Sequence, residues 1–264
     1  MDKFQEHFSQ HRNSFALIGG VACHEWLASQ GLPFRATKDL DVVLIIEALD
    51  QTFVDHFWQF IEAGQYEVRE KAEGERELYR FYRPKDDAYP AMIEIFCRQP
   101  RNIQLGEGQN IVPIAAGEDE ASLSAILLDA EYYQLIVDHR ERDANPPYIT
   151  PTALIPLKAR AWLDLTRRKN KGEKVDSKDI DKHRTDVFRL AATLPGEPGP
   201  DIGASVSSDL KEFLASFPAE SAEWGGILAS LKTTFGNSTF KPDTLVAIVS
   251  DYFKLTPSSS SPST

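Results

Sequence analysis

Asp39 and Asp41 stand one residue apart in the run RATKDLDVVL, residues 35–44, at the start of an apolar stretch. On an extended segment, side chains at i and i+2 share a face. Two carboxylates held that way repel and raise each other's pKa unless a cation sits between them. Mg²⁺, or Mn²⁺ in its place, is the expected cation for an oxygen-only pair that leaves coordination positions for phosphates. The same spacing also arises in a polar turn that precedes a strand, and on these two residues alone both readings stand.

Two further features carry chemistry. In FALIGGVACHEWLA, residues 15–28, an apolar strand feeds directly into Gly19 and Gly20, where a helix begins. Small residues let a phosphate approach the backbone, and a helix N-terminus favours an anion. The alternative is a tight strand–helix turn that needs glycine, and no P-loop pattern is present. Glu94, in AMIEIFC, is a lone acid in an otherwise apolar strand. A buried unpaired carboxylate costs several kcal/mol or goes neutral. On a strand beside LDVVL it can face the two aspartates as a third acid; otherwise it faces solvent on one side of the sheet.

The order of these features resembles a known family. The run GGVACHEWLASQGLPFRATKDLDVVL, with 18 residues between Gly20 and Asp39, resembles the nucleotidyltransferase superfamily. That superfamily pairs a strand and a Gly-Gly or Gly-Ser helix start with an Asp-x-Asp on the next strand. RATKDLD looks like the Arg-x-Thr-x-Asp-x-Asp stretch of the abortive-infection AbiEii group. The resemblance is specific over residues 15–45 and suggestive over 150–190. It implies that Gly19, Gly20, Thr37, Lys38 and Lys182 bind the nucleotide, and that Asp39, Asp41 and Glu94 hold metal. Glutamate at 94 departs from the family's usual aspartate by one methylene. The resemblance also implies that Lys158 in LIPLKARAWLDL and Asp186 in KHRTDVFRL complete the catalytic set, with Lys182 a helical turn before Asp186. Asp179 and Asp181 compete with Asp186 for that role. The implied activity is Mg²⁺-dependent transfer of a nucleoside monophosphate from a nucleoside triphosphate to an acceptor hydroxyl. An RNA end such as that of tRNA is the favoured acceptor; a protein hydroxyl or a small molecule is the alternative. A toxin role, with an antitoxin protein as partner, or a phage-defence role goes with the group. A non-catalytic nucleotide-binding or partner-binding module on the same fold is the rival.

These residues need elements to position them. The pattern predicts a short helix over about 1–12 and a strand at FALI. A helix from Val21 follows, closed by Gly31, then a central strand at LDVVLII. Asp50 is the expected N-cap of a helix burying Phe53, Phe57, Phe60 and Ile61. Strands are expected at YEVRE, ELYRFYR and PAMIEIFCR, with a further strand or edge at QNIVPIA. LSAILLD reads as strand or helix. AEYYQLIVDHR, TALIPLKARAWLDLTRR, DIDKHRTDVFRLAATL and segments near 207–217 and 242–252 read as helices. The expected fold class is α+β. A nucleotidyltransferase-like mixed sheet flanked by helices spans 1–118, a mainly helical region completing the cleft spans 119–254, and a low-complexity disordered tail spans 255–264.

Composition bounds the function classes. A net charge of −11 opposes a protein whose whole surface grips nucleic acid. Between Lys158 and Arg189, however, eleven basic side chains face six acidic ones, a local +5 that suits a polyanion or a solvated helical pair. No run is long and apolar enough to span a bilayer, and no secretory signal is visible. Cys23 and Cys97 sit in apolar runs, read as buried thiols of a cytoplasmic protein rather than a disulfide. No spacing matches a zinc site, a serine hydrolase lacks its GxSxG, and His24, His139 and His183 are read as structural or peripheral.

Overall fold

The computed structural model describes residues 1–70, 76–98, 111–114, 123–236 and 238–255. The chain forms two compact units, Met1–Thr150 and Pro151–Thr264. The division falls at Thr150, not near 118, because three strands beyond 118 belong to the first unit's sheet, with a helix between them. Leu255, the first residue of the expected tail, is buried, and its N–H reaches the Ser250 carbonyl. The rest of that span lies outside the described residues, as do Gln109, Asn110 and Ala115 of the expected edge strand.

The first unit is α+β with a mixed sheet. Its main path runs β3 (Glu67–Glu70), β4 (Arg76–Tyr82), β5 (Met92–Arg98), β2 (Asp39–Leu44), β1 (Phe15–Ile18), β9 (Tyr148–Ile149) and β8 (Arg140–Glu141). β1 is antiparallel to β2, and β2 is parallel to β5. β5 carries β4 antiparallel along its first half and β7 (Leu123–Leu128) parallel along its second. LSAILLD is thus a strand. β6 (Ile111–Ile114) pairs with β7, and an edge position accommodates its Pro113. Val42, Val43 and Leu44 are all buried, the mark of a strand covered on both faces.

Local signals set the flanking helices. α2 (Gly19–Ser29) ends in a Schellman motif: Gly31 takes φ +69°, and the N–H groups of Gly31 and Leu32 reach the carbonyls of Ala28 and Leu27. Asp50 caps α3 (Gln51–Gly64) by accepting from the Phe53 N–H at 2.8 Å. α4 (Ala130–Asp138) follows β7. α1 (Asp2–His7) is shorter than expected, but Phe4 and Phe8 bury fully against Phe15, Phe53 and Phe60. Cys23 and Cys97 are both buried, and neither is in a disulfide.

In the second unit, α5 (Pro151–Asn170) and α6 (Ser177–Ala191) are joined by a short polar loop, and Asp176 caps α6. α7 (Ala204–Ala215) and α9 (Pro242–Tyr252) match two expected helices. α8 (Trp224–Phe235) was not expected, because Gly225, Gly226, Thr233 and Thr234 are weak helix formers. Burial of Trp224, Ile227 and Leu231 overrides that propensity. Phe188, Phe213, Phe217 and Trp224 pack ring against ring at the core. Among the described residues, no helix is long and apolar enough to cross a membrane.

One contact between α1 and α3 makes stability pH-dependent. The His7 and His56 rings stack at 3.8 Å, and each Nε2 donates to the other's backbone carbonyl, at 2.8 and 2.7 Å. Burial pushes His7 below its ordinary value, aided by His56 and His11 and opposed by the bond to the His56 carbonyl. His11 is lowered by burial and by His56, against a raising pull from Asp50. The unfolded chain therefore binds protons more readily, and this stability is complete above the ordinary value and lost as pH falls from there through the lowered folded values. Denaturant midpoints should drop between about pH 7.5 and about pH 5.5, and His7→Gln should shrink that difference.

Candidate active site

The site begins where β1 stops. Gly19 adopts φ +68°, a left-handed conformation that favours glycine, and Gly19 and Gly20 open α2 with no side-chain cap. A methyl group on Gly19 would lie 1.9 Å from Asp41 Oδ2, and one on Gly20 would lie 3.2 Å from Thr37 Oγ1. The bare glycine backbone therefore lets the Asp41 carboxylate and the Thr37 side chain come up against the start of the helix. Asp39 is exposed and Asp41 half-buried. Alternation along β2 puts both on the same face.

Sheet register extends this face. Ile18, Asp41, Glu94 and Arg80 are paired in turn across β1, β2, β5 and β4. Glu94 is thus beside Asp41, as expected, but its partner is Arg80. The Arg80 Nε donates to Glu94 Oε1 at 2.6 Å, and Nη2 meets the same oxygen. Among the described residues, no group of three or more His, Cys, Asp or Glu is disposed to hold a metal ion. Of the expected set of Asp39, Asp41 and Glu94, the third acid is ion-paired with the Arg80 guanidinium. Asp39 and Asp41 on their own still fit a Mg²⁺ ion that keeps several waters and takes substrate phosphates.

Thr37 and Lys38 also line a cleft of about 290 Å³, with Val21, His24, Glu25, Leu40, Asp87 and Tyr89 among its other walls. Leu40 alternates with the aspartates, so the cleft opens on the other face of β2, and Thr37, which also lies against Gly20, is common to both. His24, read as peripheral, belongs to it. Arg80, Asp87 and Tyr89 escaped the sequence reading. Only the strand register reveals Arg80, and only the return of the 86–90 loop reveals the other two.

Lys158 and Asp186 do meet, inside the helical unit. Lys158 Nζ lies 3.3 Å from Asp186 Oδ2, and the aspartate is fully buried. Arg189 Nη1 donates to the other oxygen at 2.6 Å, while its Nε and Nη2 donate to Thr234 and Ser230 of α8. The Lys158 side chain is only 6% exposed, so its ammonium is held in the core by this network and does not reach out to solvent. Lys182 points elsewhere: it is exposed and pairs with Asp179 at 2.9 Å, while Asp181 pairs with Arg184. The basic stretch is largely answered by acids, since Arg160, Arg167 and Arg168 meet Asp209, Glu212 and Glu173.

Asp186→Asn strands two cations in the core. It should cost about 3–5 kcal/mol in denaturant unfolding, whereas Lys182→Ala should stay within about 0.5 kcal/mol. Gly19→Ala drives a methyl into Asp41 at a left-handed φ and should cost about 2 kcal/mol or more by the same measurement. Compared with known proteins, the chain matches no family model, no curated protein and no solved structure.

Proposed function

We propose that the protein is a divalent-cation-dependent nucleotidyltransferase acting from the carboxylate face of β2. The observation that carries this reading is the close approach of the Gly19 backbone to Asp41, with Thr37 against Gly20 and Asp39 exposed beside them. Free N–H groups at a helix start favour an anion, and the adjacent carboxylate pair favours a hard cation; a nucleoside triphosphate with its Mg²⁺ supplies both. The β1–α2–β2 unit, with β5 parallel to β2, supports a nucleotidyltransferase-like form of the fold.

The reaction is displacement at phosphorus. An acceptor hydroxyl oxygen bonds to the α-phosphorus, the bond to the bridging oxygen breaks, and pyrophosphate leaves with the electron pair. The hydroxyl proton passes to water at the exposed edge where Asp39 stands. A divalent ion bound by Asp39 and Asp41 supplies charge neutralisation on the phosphates. The chain's own part is to orient the triphosphate at Gly19, Gly20 and Thr37, with Lys38 adding positive charge. An RNA end such as that of tRNA is the acceptor we favour. A toxin or phage-defence role in the cytoplasm, with an antitoxin partner, goes with this reading. The Arg80–Glu94 pair favours a second reading, a nucleotide-binding module without turnover.

The test is incubation with labelled triphosphates, total RNA, lysate protein and Mg²⁺. Label should enter the RNA fraction, and Asp39→Ala or Asp41→Ala should abolish it. Labelled transfer by either mutant removes the metal role. Mg²⁺-dependent triphosphate binding with no transfer to any acceptor selects the module.

A further inference from the structure

We propose that Arg80 binds the triphosphate and stands in for a second metal ion on the carboxylate face, an inference that rests on the nucleotide reading above. Three observations converge on it. Arg80 and Asp41 flank Glu94 in one row across β4, β5 and β2, so their side chains share a face. The guanidinium is fixed by Glu94 through Nε and Nη2, yet the Arg80 side chain is 35% exposed against 14% for Glu94. Arginine carries five N–H donors in a planar fork, so its other donors remain for phosphate oxygens while Glu94 sets the plane.

The charge on this face fits a single ion. Asp39, Asp41 and Glu94 against Arg80 leave two negative charges, which one divalent cation balances. A second divalent ion would have to compete with the guanidinium for Glu94, the acid it would need as ligand. A fixed guanidinium offers phosphate the same positive charge with none of the ordering cost of a free side chain. Glu94 is in this arrangement a positioning residue, acting through Arg80.

The experiment measures binding by the full chain, with no dependence on turnover. The probes are a nucleoside triphosphate with an α,β-methylene bridge, which cannot be transferred, and the matching phosphate-free nucleoside. Mn²⁺ is counted by electron paramagnetic resonance with protein in excess over nucleotide. A single Mn²⁺ per bound triphosphate is expected. Arg80→Ala should weaken the triphosphate at least about tenfold while leaving the nucleoside unchanged, and Arg80→Lys should fall between, since it keeps charge and loses the fork. Thermal unfolding reports whether each variant folds, and Arg80→Lys carries the test if the alanine variant does not. Two Mn²⁺ ions per triphosphate, or wild-type affinity in a folded Arg80 variant, overturns the proposal and leaves the nucleotide reading standing. No divalent-dependent triphosphate binding by the wild-type chain overturns both.

Discussion

The candidate site depends on one close approach, that of the Gly19 backbone to the Asp41 carboxylate. A side chain at Gly19 would occupy the place of Asp41 Oδ2 itself. β1 and β2 are antiparallel with Ile18 opposite Asp41, so the turn from β1 into α2 is made directly beside that carboxylate. The left-handed φ of Gly19 makes the turn, and the absent side chain clears the space. Residue type, strand register and helix start are thus one constraint. It leaves Asp41 half-buried against the backbone where α2 starts and Asp39 outward in solvent.

Both units handle carboxylates by the same electrostatics, at different depths. In the helical unit Asp186 lies wholly in the core, where an unpaired charge would cost several kcal/mol. It takes Lys158 on one oxygen and Arg189 on the other, and Arg189 spends its remaining donors on two hydroxyls of α8. That network ties three helices and explains why a helix as poor in propensity as α8 is held in place. In the sheet unit the corresponding pair, Glu94 with Arg80, sits at a partly open face. Solvent there lightens the desolvation cost and leaves the arginine accessible.

Features written in short stretches of chain were legible in the sequence. The apolar run of β1, the glycine pair, the aspartate cap of α3 and the glycine stop of α2 each depend on neighbours within a few residues. Glu94 beside Asp41 was one of two readings the sequence left open, and the parallel pairing of β5 with β2 decides between them. Arg80 was not legible, since its position depends on the register of a hairpin strand that alternation alone does not set. The direction of Lys182 was also hidden. Its spacing from Asp186 is one helical turn, but on an exposed helix end a lysine turns to the nearer Asp179. The boundary at Thr150 eluded composition because β8 and β9 are two residues each, too short to leave a periodic signal.

The behaviour of Glu94 follows from its place between unlike neighbours. Adjacent strands lie about 4.8 Å apart, so its carboxylate is within reach of Asp41 on one side and Arg80 on the other. The charge on Arg80 attracts it and the charge on Asp41 repels it, both screened by the solvent that reaches this face. The extra methylene of glutamate supplies the reach, and the sign of the neighbour decides the direction. A carboxylate at 94 turns toward the aspartates only if a cation waits between them or if the cation at 80 is gone. The identity of residue 80, on a different strand and fourteen positions earlier, therefore decides how many carboxylates this face offers to a metal ion.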